Sequence, residues 1–309
     1  MASPVVITGA AGFAGGHLLD LLVSDGLDVV AWHRPGSAPA SHRPGSIWQA
    51  VDLLDPAAVR KAVARTRPAM VYHCAGAAHV GRAWDHSEET FAVNVRGTHH
   101  LIEALRSAGV DARVMIPSSS LVYAPLAEPL SEEAPLAPTS PYGLSKLAQE
   151  LVGAGNPGGP DTLVARAFNH FGPRQDSQFA ASGFARQIAD IEAGRAEPEM
   201  LVGNLDARRD FTDVRDTVRA YRMIIELGTG GRAYNVCSGR ATPIREILDR
   251  LLARSRVPIR VKVDPRRYRP NDQPVIVGNP ARIRDEIGWT PTLPIDQTLD
   301  ELLEFWRRR

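Results

Sequence analysis

A chain of 309 residues is long enough for one large domain or two joined ones. Its 36 basic side chains are offset by 35 acidic ones, a net charge of +1, which gives no electrostatic reason to expect a nucleic acid or a membrane surface as partner. Hydrophobic residues make up 44%, the two cysteines (Cys74 and Cys237) belong to no CxxC pair, and no window approaches the roughly 18 apolar residues of a membrane span, so a reduced, cytoplasmic globular protein is expected and a disulfide framework is excluded.

In chain order, Val5–Thr8 reads as a buried strand and Phe13–Ser24 as a helix stopped by Asp25-Gly26. Strands follow at Leu27–His33 and Ile47–Val51, then a helix from Asp55-Pro56 through Arg65 and a strand at Met70–Ala75. A helix over Thr90–Ser107 ends at Gly109 and leads to a strand at Ala112–Ser118. Strands alternating with helices predict an α/β fold, a Rossmann-type doubly wound parallel sheet. Residues 1–167 are assigned to dinucleotide binding, with a later segment near 207–237 returning to that domain. Residues 168–309 form mainly a smaller α/β substrate domain, its Ser177–Asp206 stretch polar and helical and its Arg254–Pro274 stretch basic and proline-rich.

The chemistry starts at the first turn. Gly9, Gly12 and Gly15 form GxxGxxG between strand and helix, where small residues let the backbone, including that of Phe13 and Ala14, approach a pyrophosphate at a helix N-terminus. The second strand ends at His33 with no acid to accept a ribose hydroxyl, and Arg34 stands just beyond it. Arg34 instead suits a 2′-phosphate, so NADP(H) is favoured and NAD(H) is the alternative. Asp52 and Leu53, after the third strand, stand where an adenine could be met, or where a helix cap is needed.

In Ser140-Pro141-Tyr142-Gly143-Leu144-Ser145-Lys146, Ser140 suits an N-cap and Pro141 the first helical position. Tyr142 and Lys146 are then stacked on one helix face. An ammonium beside a phenol lowers its pKa toward the working range, the property of an acid/base for alcohol–ketone interconversion. Lys146 is one of only three lysines among 36 basic residues. Ser118-Ser119-Ser120 ends the fifth strand, at the sheet edge where ligands bind.

Glycine turn, serine strand end and YxxxK together resemble the short-chain dehydrogenase/reductase superfamily, and the length resembles its extended, nucleotide-sugar branch. His73-Cys74-Ala75-Gly76 and Phe91-Ala92-Val93-Asn94 extend the resemblance, with Ala75 at the cofactor. It implies Ser119, Tyr142 and Lys146 as the catalytic triad, with Asn94 either a fourth member through water or a helix-bridging hydrogen-bond former. The segments Arg166–Gln175, Gly203–Asp216 and Arg269–Pro274, with Gly278-Asn279-Pro280 and Ile287-Gly288-Trp289, resemble the group of GDP-mannose dehydratases and GDP-4-keto-6-deoxymannose reductases over essentially the whole chain. By that resemblance Asn169, Arg209 and Arg269 face the diphosphate of a nucleotide-sugar substrate, for which a guanidinium fork is well shaped.

In the dehydratases an acid lies two residues after the catalytic hydroxyl; here Leu121 occupies that place, leaving only Glu128, Glu132 or Glu133 to swing in. Reduction of the 4-keto group of a GDP-6-deoxy sugar with NADPH is therefore the leading expectation. A 4-epimerase with tightly held NAD is the alternative, and a dehydratase or a non-catalytic dinucleotide-binding regulator ranks lower. Nine histidines show no metal-ligand spacing, and no metal is expected; His79 could touch the sugar. Gly153–Pro160 should end the catalytic helix early; that helix is half of the dimer interface in the family it resembles, so a homodimer is expected, with a monomer or a different assembly as the alternatives.

Overall fold

The computed structural model describes residues 4–37, 45–155, 158–268 and 273–309. The strands are β1 (Val5–Thr8), β2 (Val29–His33), β3 (Ser46–Ala50), β4 (Met70–His73), β5 (Arg113–Ser119), β6 (Asp161–Ala167), β7 (Asn169–Phe171), β8 (Glu199–Val202), β9 (Arg208–Asp213), β10 (Ala233–Val236), β11 (Ala241–Pro243), β12 (Arg260–Val263) and β13 (Val275–Ile276). The helices are α1 (Phe13–Ser24), α2 (Pro56–Thr66), α3 (Arg82–Asp85), α4 (Ser87–Phe91), α5 (Gly97–Ser107), α6 (Pro141–Ala154), α7 (Ala180–Glu192), α8 (Val214–Leu227), α9 (Ile244–Leu252), α10 (Ala281–Ile287) and α11 (Ile295–Arg307).

Seven parallel strands form the large sheet in the order β10-β6-β5-β4-β1-β2-β3. Their sequences are apolar almost without interruption because both faces are covered. Leu18, Leu19 and Leu22 of α1 join Val218, Tyr221 and Ile224 of α8 on one face, with Trp289 buried among them. Val59 and Val63 of α2 join Leu101 and Leu105 of α5 on the other. Strand reversal lies between β1 and β4, so the carboxyl ends of these strands open the crevice in which such sheets bind ligands.

Beyond β6, β9 is the hub of a smaller sheet, flanked by β7, β11 and β13, while β8 and β12 pair separately. A second core of Phe171, Phe184, Ile188, Leu248, Leu299 and Leu302 fills this part. The C-terminal segment is anchored by Asp216, whose carboxylate accepts from Thr292 and Leu293 N–H, while Trp289 Nε1 donates to the Asp216 carbonyl.

One predicted helix takes a different form. The stretch expected to run from Thr90 begins at Ser87 and is interrupted by a π-turn over Ala92–Arg96 before α5. The extra residue in that turn aims Asn94 inward, and such insertions gather at functional sites. Helix α6 ends at Ala154 with Gly155 as its cap, as the glycine-rich stretch predicts. Among the described residues no helix is long and apolar enough to cross a membrane.

Candidate active site

The β1–α1 turn is closed tightly by its glycines. Gly9 has a φ of +66°, and a Cβ there would come within 2.6 Å of the Ala75 backbone; one on Gly15 would come within 2.3 Å of the Gly9 carbonyl oxygen. Only glycine fits both places. Gly12 caps α1 without a side-chain bond, and no acid stands in the first turn. The leading N–H groups of α1, at Phe13 and Ala14, therefore lack intrahelical acceptors and meet an anion favourably. A cradle so closed, with its donors unspent, fits a dinucleotide pyrophosphate.

At the end of β2, the Arg34 carbonyl accepts from the Ser37 N–H and hydroxyl, and the Arg34 side chain stands exposed. Asp52 accepts the Leu54 N–H at 2.9 Å, whereas Asp55 caps α2 through Ala57 and Ala58. The cap role weighed for Asp52 thus belongs to Asp55. His100 donates from Nδ1 to the Leu53 carbonyl at 2.8 Å and holds this loop.

Ser119 closes β5, and Ser140 accepts the Gly143 N–H at 3.1 Å to start α6, with Pro141 in the first position. Gly143 lets α6 sit on the chain that leaves β5, because a Cβ at 143 would lie 2.3 Å from the Leu121 carbonyl oxygen. The close approach brings Tyr142 to Ser119. Burial pushes the Tyr142 phenol up to about 12, and its hydrogen bond with Ser119 opposes the rise. Lys146 is buried too. Its ammonium donates to Gln149 Oε1 at 2.6 Å, and burial lowers it to about 8, with the Glu150 carboxylate opposing. The expected lowering of the phenol by Lys146 is not what this arrangement gives, because burial dominates and the ammonium is turned to Gln149.

Asn94 is fully buried and spent on bridging: its Oδ1 accepts the Ala77 N–H at 2.8 Å and its Nδ2 donates to Ser145 Oγ at 2.9 Å. It joins the loop after β4 to the catalytic helix, the bridging alternative of the two weighed for it. Beneath the site Glu150 is held by Arg166 through a buried ion pair at 2.8 Å and accepts from Ser118. Leu121 packs against the cluster of Val122, Tyr123, Leu130 and Phe168. Of the glutamates that could have served in its place, Glu132 accepts the Asn235 N–H at 2.7 Å, Glu133 pairs with Arg282, and Glu128 is exposed.

On the substrate side β7 and β9 run in parallel, pairing Asn169 with Phe211, so Asn169 and Arg209 lie on neighbouring strands. Asn169 is exposed and Arg209 buried. The nearby acids are committed elsewhere: Asp213 pairs with Arg215, and Asp210 accepts the Ser238, Gly239 and Gly278 N–H groups. Arg269 lies outside the described residues. His79 packs its ring on Phe179, 5.4 Å between centroids. His170, which sequence reasoning passed over, stacks on Phe13 at 5.9 Å and links the substrate segment to the glycine turn. The signal was its place in the Arg166–Gln175 segment, where it follows Asn169. Among the described residues no cluster of three or more His, Cys, Asp or Glu side chains could hold a metal ion.

A phenol hydrogen-bonded to a serine, with an ammonium one helical turn away, can pass one proton to or from an oxygen at the sheet's carboxyl edge. Residues 6–302 match the family model described as GDP-mannose 4,6 dehydratase. The chain is 36% identical over 315 residues to a GDP-6-deoxy-D-mannose reductase of Pseudomonas aeruginosa, covering 100% of this chain and 99% of that one. Among solved structures it resembles that of RMD from Pseudomonas aeruginosa complexed with NADPH, with a TM-score of 0.86, 33% identity and complete coverage of both chains. It also resembles a UDP-glucose 4-epimerase of Thermus thermophilus in complex with NAD, with a TM-score of 0.87, 27% identity and coverage of 98% of this chain and 99% of that one.

Proposed function

The chain belongs to the GDP-mannose 4,6-dehydratase family of extended short-chain dehydrogenases/reductases, and on that premise we propose that it reduces GDP-4-keto-6-deoxy-D-mannose to GDP-D-rhamnose with NADPH. The observation that carries the choice of reduction is Leu121. Dehydration needs a carboxylate beside the sugar, and this position offers an aliphatic side chain while Glu132 and Glu133 are held by Asn235 and Arg282. Reduction needs only a hydride and one proton.

The glycine turn would hold NADPH, with Arg34 toward its 2′-phosphate and Asp52, Leu53 and Ala75 about its adenosine half, and the bound cofactor would supply the hydride. Tyr142 gives its proton to the C4 oxygen as the ketone becomes an alcohol, and Ser119 hydrogen-bonds the same oxygen, where charge develops. Lys146 would hold the ribose hydroxyls with the ammonium donors not spent on Gln149. Asn169, Arg209 and Arg269 hold the substrate diphosphate. In this reading residues 1–167, with the return near 207–237, carry the cofactor, and 168–309 mainly carry the sugar nucleotide. The enzyme works in the cytoplasm as a homodimer. Support for the dimer comes from α6, which leaves Leu144 50% and Leu151 64% exposed two turns apart, beside Trp84 at 40% on α3.

The test supplies GDP-4-keto-6-deoxymannose with NADPH or NADH in separate reactions and identifies the product by NMR. Stoichiometric NADPH oxidation with a C4 alcohol is expected. Interconversion of a saturated nucleotide sugar without added cofactor would make the protein a 4-epimerase instead.

A further inference from the structure

Behind the proposed site runs a buried chain of hydrogen bonds that the reaction as described does not use. Lys146 Nζ donates to Gln149 Oε1 at 2.6 Å, and Gln149 Nε2 donates to Thr98 Oγ1 at 2.9 Å. Thr98 Oγ1 also meets the Asn94 carbonyl at 2.6 Å and His73 Nε2 at 2.8 Å. His73 Nδ1 meets Thr8 Oγ1 at 2.8 Å, and that oxygen accepts the Ala75 N–H at 3.1 Å. Thr8, His73, Thr98 and Gln149 are all essentially inaccessible to solvent.

The direction of every bond is fixed by counting protons. A carbonyl can only accept, so the single Thr98 hydroxyl proton goes to Asn94. Thr98 must then accept from both Gln149 and His73, which places the His73 proton on Nε2 and leaves Nδ1 to accept from Thr8. With its amide nitrogen committed to Thr98, Gln149 has only its oxygen to offer Lys146. A flipped amide would set donor against donor at Lys146 and acceptor against acceptor at Thr98. We propose that Gln149 is a positioning residue for Lys146, holding the ammonium by a neutral acceptor whose orientation is set through Thr98, His73 and Thr8 from the Ala75 amide at the cofactor loop.

A lysine carries its charge on a flexible four-carbon stem with three rotatable donors. Fixing one donor on Gln149 leaves two to face the site. An acceptor without charge also keeps the ammonium close to titration, which a carboxylate at 149 would prevent. The other titratable groups facing Lys146 are Glu150 on its own helix and Cys74 after β4, whose thiol burial pushes up to about 12, while His73, which feels the lysine, is kept neutral by burial.

The proposal rests on the reading of Lys146 as a catalytic-site residue, but its test requires no substrate. The chain has three lysines, Lys61, Lys146 and Lys262. Protein labelled with 13C at lysine Cε gives three resolvable titrations by NMR, the Lys146 signal being identified by its loss in Lys146→Arg. In the native protein Lys146 should titrate near 8, held down by its burial. Gln149→Glu should raise its midpoint by about one unit or more, and Gln149→Met should lower it by about one unit, the change expected from losing a hydrogen bond to a charged group. Thr98→Val should act in the direction of Gln149→Met, and Thr98→Ser should restore the native value. Unchanged Lys61 and Lys262 signals verify the fold. A Lys146 midpoint that stays within about 0.3 units in both Gln149 variants would overturn the proposal. Should Gln149→Met fail to fold, the near-isosteric Gln149→Glu decides alone. An enzyme inactive toward the GDP sugar would still answer, so failure here and failure of the proposed reaction are separate results.

Discussion

Replacing Gly143 by alanine sets two effects of opposite sign against each other. In an unconstrained helix the change favours folding by about 0.5–1 kcal/mol, because alanine loses less backbone freedom. Here the new methyl would lie 2.3 Å from the Leu121 carbonyl oxygen and 3.0 Å from Pro138 Cβ, whereas ordinary contact begins near 3.4 Å. The first turn of α6 and the segment at Leu121 must therefore part by about 1 Å. Overpacking of this kind costs about 1–3 kcal/mol, so the net loss of stability should be about 0–2.5 kcal/mol. Catalysis should suffer far more. Tyr142 adjoins the methyl on one side, and Ser119 lies two residues before Leu121 on the other, so the gap opens between proton donor and hydroxyl. A misplacement of about 1 Å typically costs about 100-fold in rate. We expect kcat for NADPH-dependent reduction to fall about 30- to 100-fold, with NADPH affinity by calorimetry within about fivefold of native, since the glycine turn is distant from the change. A kcat within about threefold of native, in protein whose urea midpoint is unchanged, would refute the claim that this contact sets the Tyr142 position.

Tyr142→Phe, which removes the proton and little else, should lower kcat by about a thousandfold with NADPH affinity retained; unchanged turnover would sink the mechanism. Arg34→Ala should weaken NADPH about tenfold more than NADH in paired binding titrations, and equal losses would remove Arg34 from the 2′-phosphate. Arg166→Met strands the Glu150 carboxylate, both side chains of the pair being only 7% exposed, and should cost about 3–5 kcal/mol in urea unfolding. Adding Glu150→Leu should recover most of that loss; a double variant as unstable as the single one would contradict the account. His73 is lowered to about 3 by burial, so below its ordinary 6.5 the unfolded chain takes up a proton that the folded chain refuses. Stability should then fall by about 1.4 kcal/mol per pH unit from pH 6.5 toward 3 on this account, and urea unfolding of His73→Asn should show a correspondingly shallower slope.

What could be read beforehand was local. Ser140, Pro141, Tyr142 and Lys146 fall within one helical turn or two, and Gly9, Gly12 and Gly15 within a single bend, so spacing alone projects them into three dimensions. Contacts that span the chain leave no such trace. Thr98 and Gln149 are 51 residues apart, and His73 and Thr98 are 25 apart, and each taken singly is an ordinary polar residue of a helix or strand. The fit of Gly143 under Leu121 depends on how two segments meet, and no propensity encodes it. Asn94 drew attention as a residue, but its bond to Ser145 exists only because a π-turn re-aims it, a one-residue change invisible to a helical pattern. The pKa expectation for Tyr142 went astray for a related reason: spacing places an ammonium beside the phenol, but burial and the bond to Gln149 decide what each group experiences.

The outermost strand of the large sheet, β10, is supplied about 65 residues after its neighbour β6, once the chain has passed through β7, β8 and β9. During synthesis from the N-terminus, the β6 edge with Leu163, Val164 and Ala165 must wait unpaired until residues 233–236 leave the ribosome. An open apolar strand edge is a template for pairing with another chain. A fragment stopped after Ala167 would keep the glycine turn and Tyr142 yet expose that edge permanently, and aggregation rather than a free cofactor-binding module is its expected fate. Recombining such an enzyme with a relative would accordingly require the exchange of two separate stretches of gene, because no single cut divides the two sheets.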